Sequence, residues 1–350
     1  MSVARVSTNF CEPVSRLRKH SLVEPITDNT YVIKDGWATG LIFVLDPRSN
    51  KCVIVDPSVT KKIEREFRAG YVRRIWEAIE EVLRTTDINA ISGIINERLS
   101  TTEARRQLLR DLDGYITEHD IIRDPHDGIF IERVAQIAEL IASTGLEVEA
   151  ILATHHHIDH FGCARILRDT LGIRERVMMP DPTIFKRLST SRRGDLWVVD
   201  QEANSQTLVG IERFRIKTVD ISGHTLMTGL LFPDGILLVG DLVATENLWA
   251  RGVPYIEDVS RHLGSLMRVS GTGFEKMVLS HGTAYIISHE PSMDLLRLNL
   301  ERVNAIRGFA WQNAYSIDAA DAYLQSIRQN LSPEYLGLAL VIAMSIGNYK

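Results

Sequence analysis

The feature that most constrains this 350-residue chain is the run His155-His156-His157-Ile158-Asp159-His160. Imidazole and carboxylate are the ligands that zinc and similar divalent ions prefer. The apolar run Val148–Ala153 predicts a strand that enters the cluster, and Cys163–Leu171 predicts a helix that leaves it. The alternative is a fortuitous histidine-rich surface loop, which the apolar flanks Ile151, Leu152 and Phe161 disfavour.

The spacing inside this cluster predicts two metal positions. On an extended segment, His155 and His157 project to the same side, because strand side chains alternate. Asp159 and His160 follow at the turn into the helix, where they can reach a second position. One short loop is thus predicted to offer two ligands to each of two metal ions. His156, between the first pair, is expected to point away from them.

Charge and cysteine content narrow the functional classes. The formal net charge is -5, so the basic surface of most nucleic-acid-binding proteins is not expected, and neither is a nucleic-acid partner. Three scattered cysteines argue against a disulfide framework and for a reducing compartment. No export signal is evident, and the longest apolar run, Leu336–Ile346, is too short for a transmembrane helix. We expect a cytoplasmic protein with a small-molecule substrate and no membrane association.

The pattern of elements predicts an α/β protein. Three extended runs, Thr30–Lys34, Gly40–Leu45 and Lys51–Val55, predict an antiparallel meander. Ile131–Ser143 predicts an amphipathic helix. Further strands are predicted at Arg176–Met179, Leu196–Val199, Phe214–Val219, Gly229–Phe232, Ile236–Val239 and Met277–Leu279. Strands dominate twice with helices at the outer edges, which favours two packed sheets with helices outside them.

The same pattern predicts three parts. Residues 1–26 are expected to form an N-terminal arm, and residues 27–290 a catalytic domain that contains a helical insertion at about 61–127. Residues 291–350 are expected to form a helical C-terminal extension. The insertion follows the Asp56 turn, so it could be a lid, a homodimer surface or a decoration of the fold.

Four motifs resemble those of the metallo-β-lactamase superfamily. The residues Thr154–Gly162 match its first motif, H-x-H-x-D-H, and the three successive histidines look most like the glyoxalase II branch. Further along the chain, Ser222–Thr225 resembles the superfamily's second motif, Gly240-Asp241 resembles its bridging-aspartate motif, and Ser280–Gly282 resembles its final histidine motif. Each follows a predicted strand. The resemblance covers roughly residues 27–290 and implies a four-layer αββα fold.

The resemblance also implies the ligand set. The first metal would be held by His155, His157 and His224, and the second by Asp159, His160 and His281, with Asp241 bridging. Two divalent ions per chain are implied, with zinc expected and iron or manganese compatible with the donors. A hydroxide between the ions would be the nucleophile, with Asp159 and Asp241 as the catalytic carboxylates.

Other residues around this set have weaker assignments. Asp56 either orients a ligand histidine or simply ends its strand. Trp249 and Tyr255, in the loop after Asp241, and His126 are candidate substrate contacts. The chain departs from glyoxalase II at Thr225–Gly229, which lacks that family's second histidine, so a glutathione thioester is not the expected substrate.

Four functions remain open at this point. The favoured one is hydrolysis of a thioester, lactone or other ester. A phosphodiesterase or nuclease would need a basic track, of which the Arg105-Arg106 and Arg192-Arg193 pairs are the main hints. A diiron oxidative enzyme often replaces a motif histidine by a carboxylate, and none is replaced here. A non-catalytic scaffold is disfavoured by the intact ligands.

Overall fold

The computed structural model describes residues 11–36, 38–58, 128–155, 157–173, 178–179, 201–202, 214–243, 245, 256, 258–281 and 285–312. The predicted helical insertion at 61–127 and most of the C-terminal extension lie outside the described residues. So do the bystander His156 and the three candidate substrate contacts, His126, Trp249 and Tyr255.

The first sheet contains the predicted meander and continues into parallel strands. Its strands are β1 Val23–Pro25, β2 Thr30–Ile33, β3 Gly40–Val44, β4 Lys51–Val55, β5 Glu147–Leu152, β6 Met178–Met179 and β7 Gln201–Glu202, in that spatial order. Neighbours from β1 to β4 are antiparallel, whereas β4 to β7 are parallel. The carboxyl ends of β4 and β5 therefore meet at one edge of the sheet.

The second sheet is built mainly from hairpins. Its strands are β8 Lys217–Asp220, β9 Thr228–Leu231, β10 Ile236–Leu238, β11 Lys276–Val278 and β12 Ile286–Ser288, in the order β12-β11-β10-β9-β8. The pair β10 and β11 is parallel and the other pairs are antiparallel. The carboxyl ends of β10 and β11 therefore also lie side by side.

The two sheets pack face to face through alternating apolar side chains. Phe43 and Val53 of the first sheet share one buried cluster with Phe232 and Leu238 from the second. The rings of Phe43 and Phe232 lie 5.0 Å apart between centroids. The intervening residues of the first sheet, such as Ile42, face the opposite way into a separate cluster.

Helices cover the outer face of each sheet. They are α1 Glu12–Leu17, α2 Gly128–Thr144, α3 Ile158–Phe161, α4 Ala164–Leu171, α5 Val259–Ser270 and α6 His289–Gln312. Residues of α1, α2 and α4 pack on the first sheet, and residues of α5 and α6 pack on the second. The predicted α/β class and αββα layering are confirmed.

The structure contains described elements that the sequence prediction did not include. Within the predicted arm, α1 buries Val14 and Leu17 completely, and β1 pairs with β2. Neither element is long enough to show a hydrophobic period, so the sequence pattern does not reveal them. The helix α5 is likewise absent from the sequence prediction.

Within the described part of the chain, we find no helix long and apolar enough to cross a membrane.

Candidate metal centre

The residues of the predicted site lie at the carboxyl ends of strands from both sheets. The loop after β5 carries His155 and His157, and the short helix α3 that follows carries Asp159 and His160, while the loop after β8 carries His224. Asp241 sits in a short 3-10 turn, Gly240–Leu242, after β10, and His281 follows β11. Because the sheets pack face to face, these loops converge on one edge of the sandwich.

The seven side chains form two groups that share Asp241. The first group is His155, His157, His224 and Asp241, and the second group is Asp159, His160, Asp241 and His281. Each residue of a group offers one ligand atom, a ring nitrogen or a carboxylate oxygen, and within each group these atoms all lie within 4.8 Å of one another. The structure thus brings together every residue that the resemblance implied as a ligand.

The two carboxylate oxygens of Asp241 face different groups. Its Oδ2 lies 3.5 Å from Nε2 of His224 and 3.9 Å from Nε2 of His155. Its Oδ1 lies 3.2 Å from Nε2 of His160 and 3.4 Å from Nε2 of His281. A carboxylate in this position can serve both groups, one oxygen to each.

The chemistry of these donors fits divalent metal ions. Nε2 of His160 and Oδ1 of Asp241 are buried and lie 3.2 Å apart without hydrogen-bond alignment, and neither has another hydrogen-bond partner among the described residues, although each would require one. Nε2 of His224 and Nδ1 of His157 approach to 3.0 Å. Buried nitrogen and oxygen donors that converge in this way are stabilised by a shared cation, and imidazole with carboxylate is a zinc-type donor set.

The electrostatics of the site show what such cations would replace. Although burial opposes ionisation of Asp241, His281 and His160 outweigh it and hold the pKa of Asp241 well below its ordinary value. Burial also opposes the charge on His281, but mainly Asp241, with Asp159, raises the pKa of His281 to about 10. Burial, reinforced by His160 and His157, lowers the pKa of His155 well below its ordinary value. Without metal, the negative charge of the ionised carboxylates is therefore balanced by protonated histidine. Bound metal ions would supply that positive charge instead.

A network behind the ligands connects β4 with the histidine loop. Asp56 follows β4 with a left-handed backbone (φ 45°), and its Oδ2 lies 2.9 Å from Nδ1 of His160. Its carboxylate also accepts the backbone N–H of Thr154 at 2.8 Å and the Thr154 hydroxyl at 2.7 Å. Nδ1 of His155 lies 3.1 Å from that hydroxyl. Asp56 therefore both ends its strand and contacts His160 and Thr154, and the sequence motifs assign no role to the Thr154 hydroxyl.

The His224 loop rests on α5. The Oγ of Ser265 donates to the carbonyl of Ser222 at 2.7 Å, and the backbone N–H of Asp258 donates to the carbonyl of Gly223 at 2.9 Å. Gly223 has φ 146°, and a Cβ there would lie 2.4 Å from Cα of His262. His262 is fully buried, and burial, with His224 nearby, lowers its pKa to about 3. The sequence alone indicates only a default surface or core role for His262.

The comparison with known protein families agrees with this arrangement. A family model described as the metallo-beta-lactamase superfamily matches residues 118–289, which include all seven residues of the two groups. The matched region, residues 118–289, belongs to the metallo-beta-lactamase superfamily. Strands β1 to β4 precede the matched region, yet they pair into the first sheet of this metallo-beta-lactamase fold.

Two curated proteins resemble this superfamily member over part of their length. A "Lactamase-like protein vrtG" from Penicillium aethiopicum is 28% identical over 152 residues, covering 42% of this chain and 43% of that protein. A "Hydroxyacylglutathione hydrolase" from Albidiferax ferrireducens is 30% identical over 122 residues, covering 32% of this chain and 39% of that protein. The chain thus spans less than half the length of each of these curated relatives.

Solved structures of metallo-beta-lactamases also align with the chain. One from Pseudomonas aeruginosa in its mono-zinc form is 13% identical, with 81% of this chain and 94% of that chain covered and a TM-score of 0.48. Another, from Hirschia baltica, is 13% identical, with 80% and 96% covered and a TM-score of 0.45.

Proposed function

We propose that this metallo-beta-lactamase superfamily member is a hydrolase that holds two divalent metal ions and cleaves a small carbonyl compound: a thioester, a lactone or another ester. Zinc is the expected metal, with iron or manganese compatible with the donors. The observation that carries the proposal is the position of Asp241, whose two oxygens face two separate groups of histidine and carboxylate donors.

When bound, the two ions would supply a water-derived nucleophile near neutral pH and polarise the carbonyl oxygen of the substrate. The chain would hold them through the first group and the second group, with Asp241 setting their separation. Asp56 and Thr154 would keep the rings of His160 and His155 in the ligating orientation.

We assign Asp159 and Asp241 as the carboxylates that border the reaction. Although burial opposes its ionisation, His160 and then His281 lower the pKa of Asp159, so the group is ionised at neutral pH. An ionised carboxylate beside the attacking water can accept its proton and return it to the leaving group.

The hydroxyacylglutathione hydrolase relative supports a thioester substrate, while the missing histidine at Thr225–Gly229 argues against glutathione as the acyl carrier.

The test combines elemental analysis with a substrate panel. We expect two metal ions per chain, and turnover of p-nitrophenyl esters, thioesters or lactones that is lost on chelation and restored by zinc. Turnover of bis-p-nitrophenyl phosphate without turnover of any carbonyl substrate would overturn the proposal in favour of a phosphodiesterase. Metal content well below two ions per chain would overturn the two-metal part.

A further inference from the structure

A turn between β2 and β3 lies against the loop that carries His281. Within it, Thr39 makes two hydrogen bonds to one atom of that loop. Its backbone N–H donates to the carbonyl oxygen of Ser280 at 2.7 Å, and its Oγ1 donates to the same oxygen at 3.0 Å. Thr39 and Ser280 are both buried, with 8% and 2% of their surfaces exposed, so water competes little for these bonds. The contact joins residues 241 positions apart in the chain.

The accepting carbonyl belongs to the peptide that links Ser280 to His281. A peptide unit is planar and includes the nitrogen and Cα of the following residue. Fixing the direction of this carbonyl therefore also restrains the Cα of His281, the atom that carries its side chain. Two donors on one carbonyl oxygen occupy both of its lone pairs and restrict rotation of the unit more than one donor does. The Thr39 hydroxyl is the one of the two donors that a side-chain substitution can remove.

The same turn also connects, through Ser58, to the backbone of His160 in the second group. The backbone N–H of Ala38 donates to Oγ of Ser58 at 2.9 Å, and the N–H of Ser58 donates to the carbonyl of His160 at 3.1 Å. At Gly40, where the turn ends and β3 begins, a Cβ would lie only 2.6 Å from the carbonyl oxygen of Asp56, so the backbone approaches that strand end closely. These contacts lead to the second group, whereas the His224 loop of the first group rests on α5.

We propose that Thr39 is a positioning residue for the second metal site: its hydroxyl fixes the Ser280 carbonyl and thereby the ligating orientation of His281. This inference rests on the proposed two-metal function. It assigns the β2–β3 turn a selective effect on one of the two ions. A purely structural role for Thr39 would instead lower the stability of the whole domain without distinguishing the ions.

The experiment compares Thr39→Val and Thr39→Ser in the full chain with Thr144→Val as the matched control. Thr144 is also buried, and its hydroxyl donates to the Leu140 carbonyl at 2.8 Å on α2, away from the site. Each chelator-stripped protein is titrated with Co²⁺, and the two binding steps are followed by visible absorption. Thermal unfolding of the metal-free proteins is measured in parallel.

We expect Thr39→Val to weaken one of the two binding steps about tenfold, whichever step fills the second group, and to leave the other step unchanged. Thr39→Ser, which keeps the hydroxyl, and Thr144→Val should bind both ions like the wild type. Equal losses at both steps, or no loss, in Thr39→Val would overturn the inference. If Thr39→Val does not fold, Thr39→Ala and Thr39→Ser are compared instead, with the same outcomes deciding. A wild-type chain that binds only one Co²⁺ would overturn the two-metal function itself, which is a distinct result.

Discussion

Nδ1 of His160 lies 2.9 Å from Oδ2 of Asp56, and both side chains are fully buried. The carboxylate fixes which ring nitrogen of His160 carries the proton and leaves Nε2 directed at Asp241. Asp56→Asn keeps the size of the side chain but replaces one acceptor oxygen by a donor. We expect it to weaken the second metal about 10- to 100-fold, as is typical for partners behind a ligand histidine. Competition with a chromophoric chelator measures this, and wild-type affinity would contradict it.

Asp241 is expected to matter to both ions. Asp241→Ala removes the oxygens that face His224 on one side and His281 on the other. Metal content should fall for both groups, and turnover of the best panel substrate should fall to background. Elemental analysis and steady-state kinetics test this, with circular dichroism to check folding. Full activity in the variant would contradict the two-metal mechanism.

Gly223 is packed tightly against α5, whereas Gly264 within α5 is open, so the two glycines give a matched comparison. A Cβ at Gly223 would collide with the backbone of His262, and φ 146° is unfavourable for alanine. Gly223→Ala should therefore destabilise the fold by more than about 2 kcal/mol and weaken the first metal. A Cβ at Gly264, within α5, would meet nothing within 4 Å, so Gly264→Ala should be neutral or stabilise by up to about 1 kcal/mol. Urea unfolding compares the two, and equal effects would contradict the packing argument.

Asp234 connects the two sheets far from the metal centre. In the β9–β10 turn, its Oδ2 accepts hydrogen bonds from the hydroxyl of Thr30, the first residue of β2, at 2.6 Å and from that of Thr27, which precedes the strand. Asp234→Ala leaves these hydroxyls without their acceptor and should cost about 1–3 kcal/mol of unfolding free energy with no change in metal affinity. The control is Asp46→Ala, which breaks an exposed pair with Arg48 and should change stability by less than about 0.5 kcal/mol. A loss of metal binding in Asp234→Ala would contradict this separation of roles.

Metal binding should release protons at neutral pH. In the metal-free site, carboxylates raise the pKa of His281 to about 10 against the effect of burial, so this imidazole carries a proton at pH 7. A metal ion requires the neutral ring, so it must displace that proton, and affinity should rise as the pH rises from about 6 to about 9. Calorimetry in buffers of different ionisation enthalpy measures the protons released. Binding that is independent of pH would contradict this ionisation state.

The two metal groups could be predicted largely from the sequence because their residues are marked locally. Spacing assigns His155 and His157 to one side of an extended segment, and a strand pattern precedes each of the other ligands. One strand prediction is close, since the pattern predicts Ile236–Val239 and Ile236–Leu238 is found. The predicted strand Leu196–Val199 lies outside the described residues. The N-terminal elements could not be predicted, since α1 has only six residues and is stabilised by burial against the first sheet rather than by its own pattern.

The sequence by itself determined which residues can ligate metal, because donor type and strand-end position are properties of short segments. Only the tertiary structure decided how those ligands are held. Thr154 meets Asp56 across 98 residues, Thr39 meets Ser280 across 241, and His262 packs on Gly223 from a helix that no motif marks. These contacts form between strand ends and helices that become neighbours when the sheets pack. Their partners are common residue types, and it is burial and distance in the folded chain that make each of them specific.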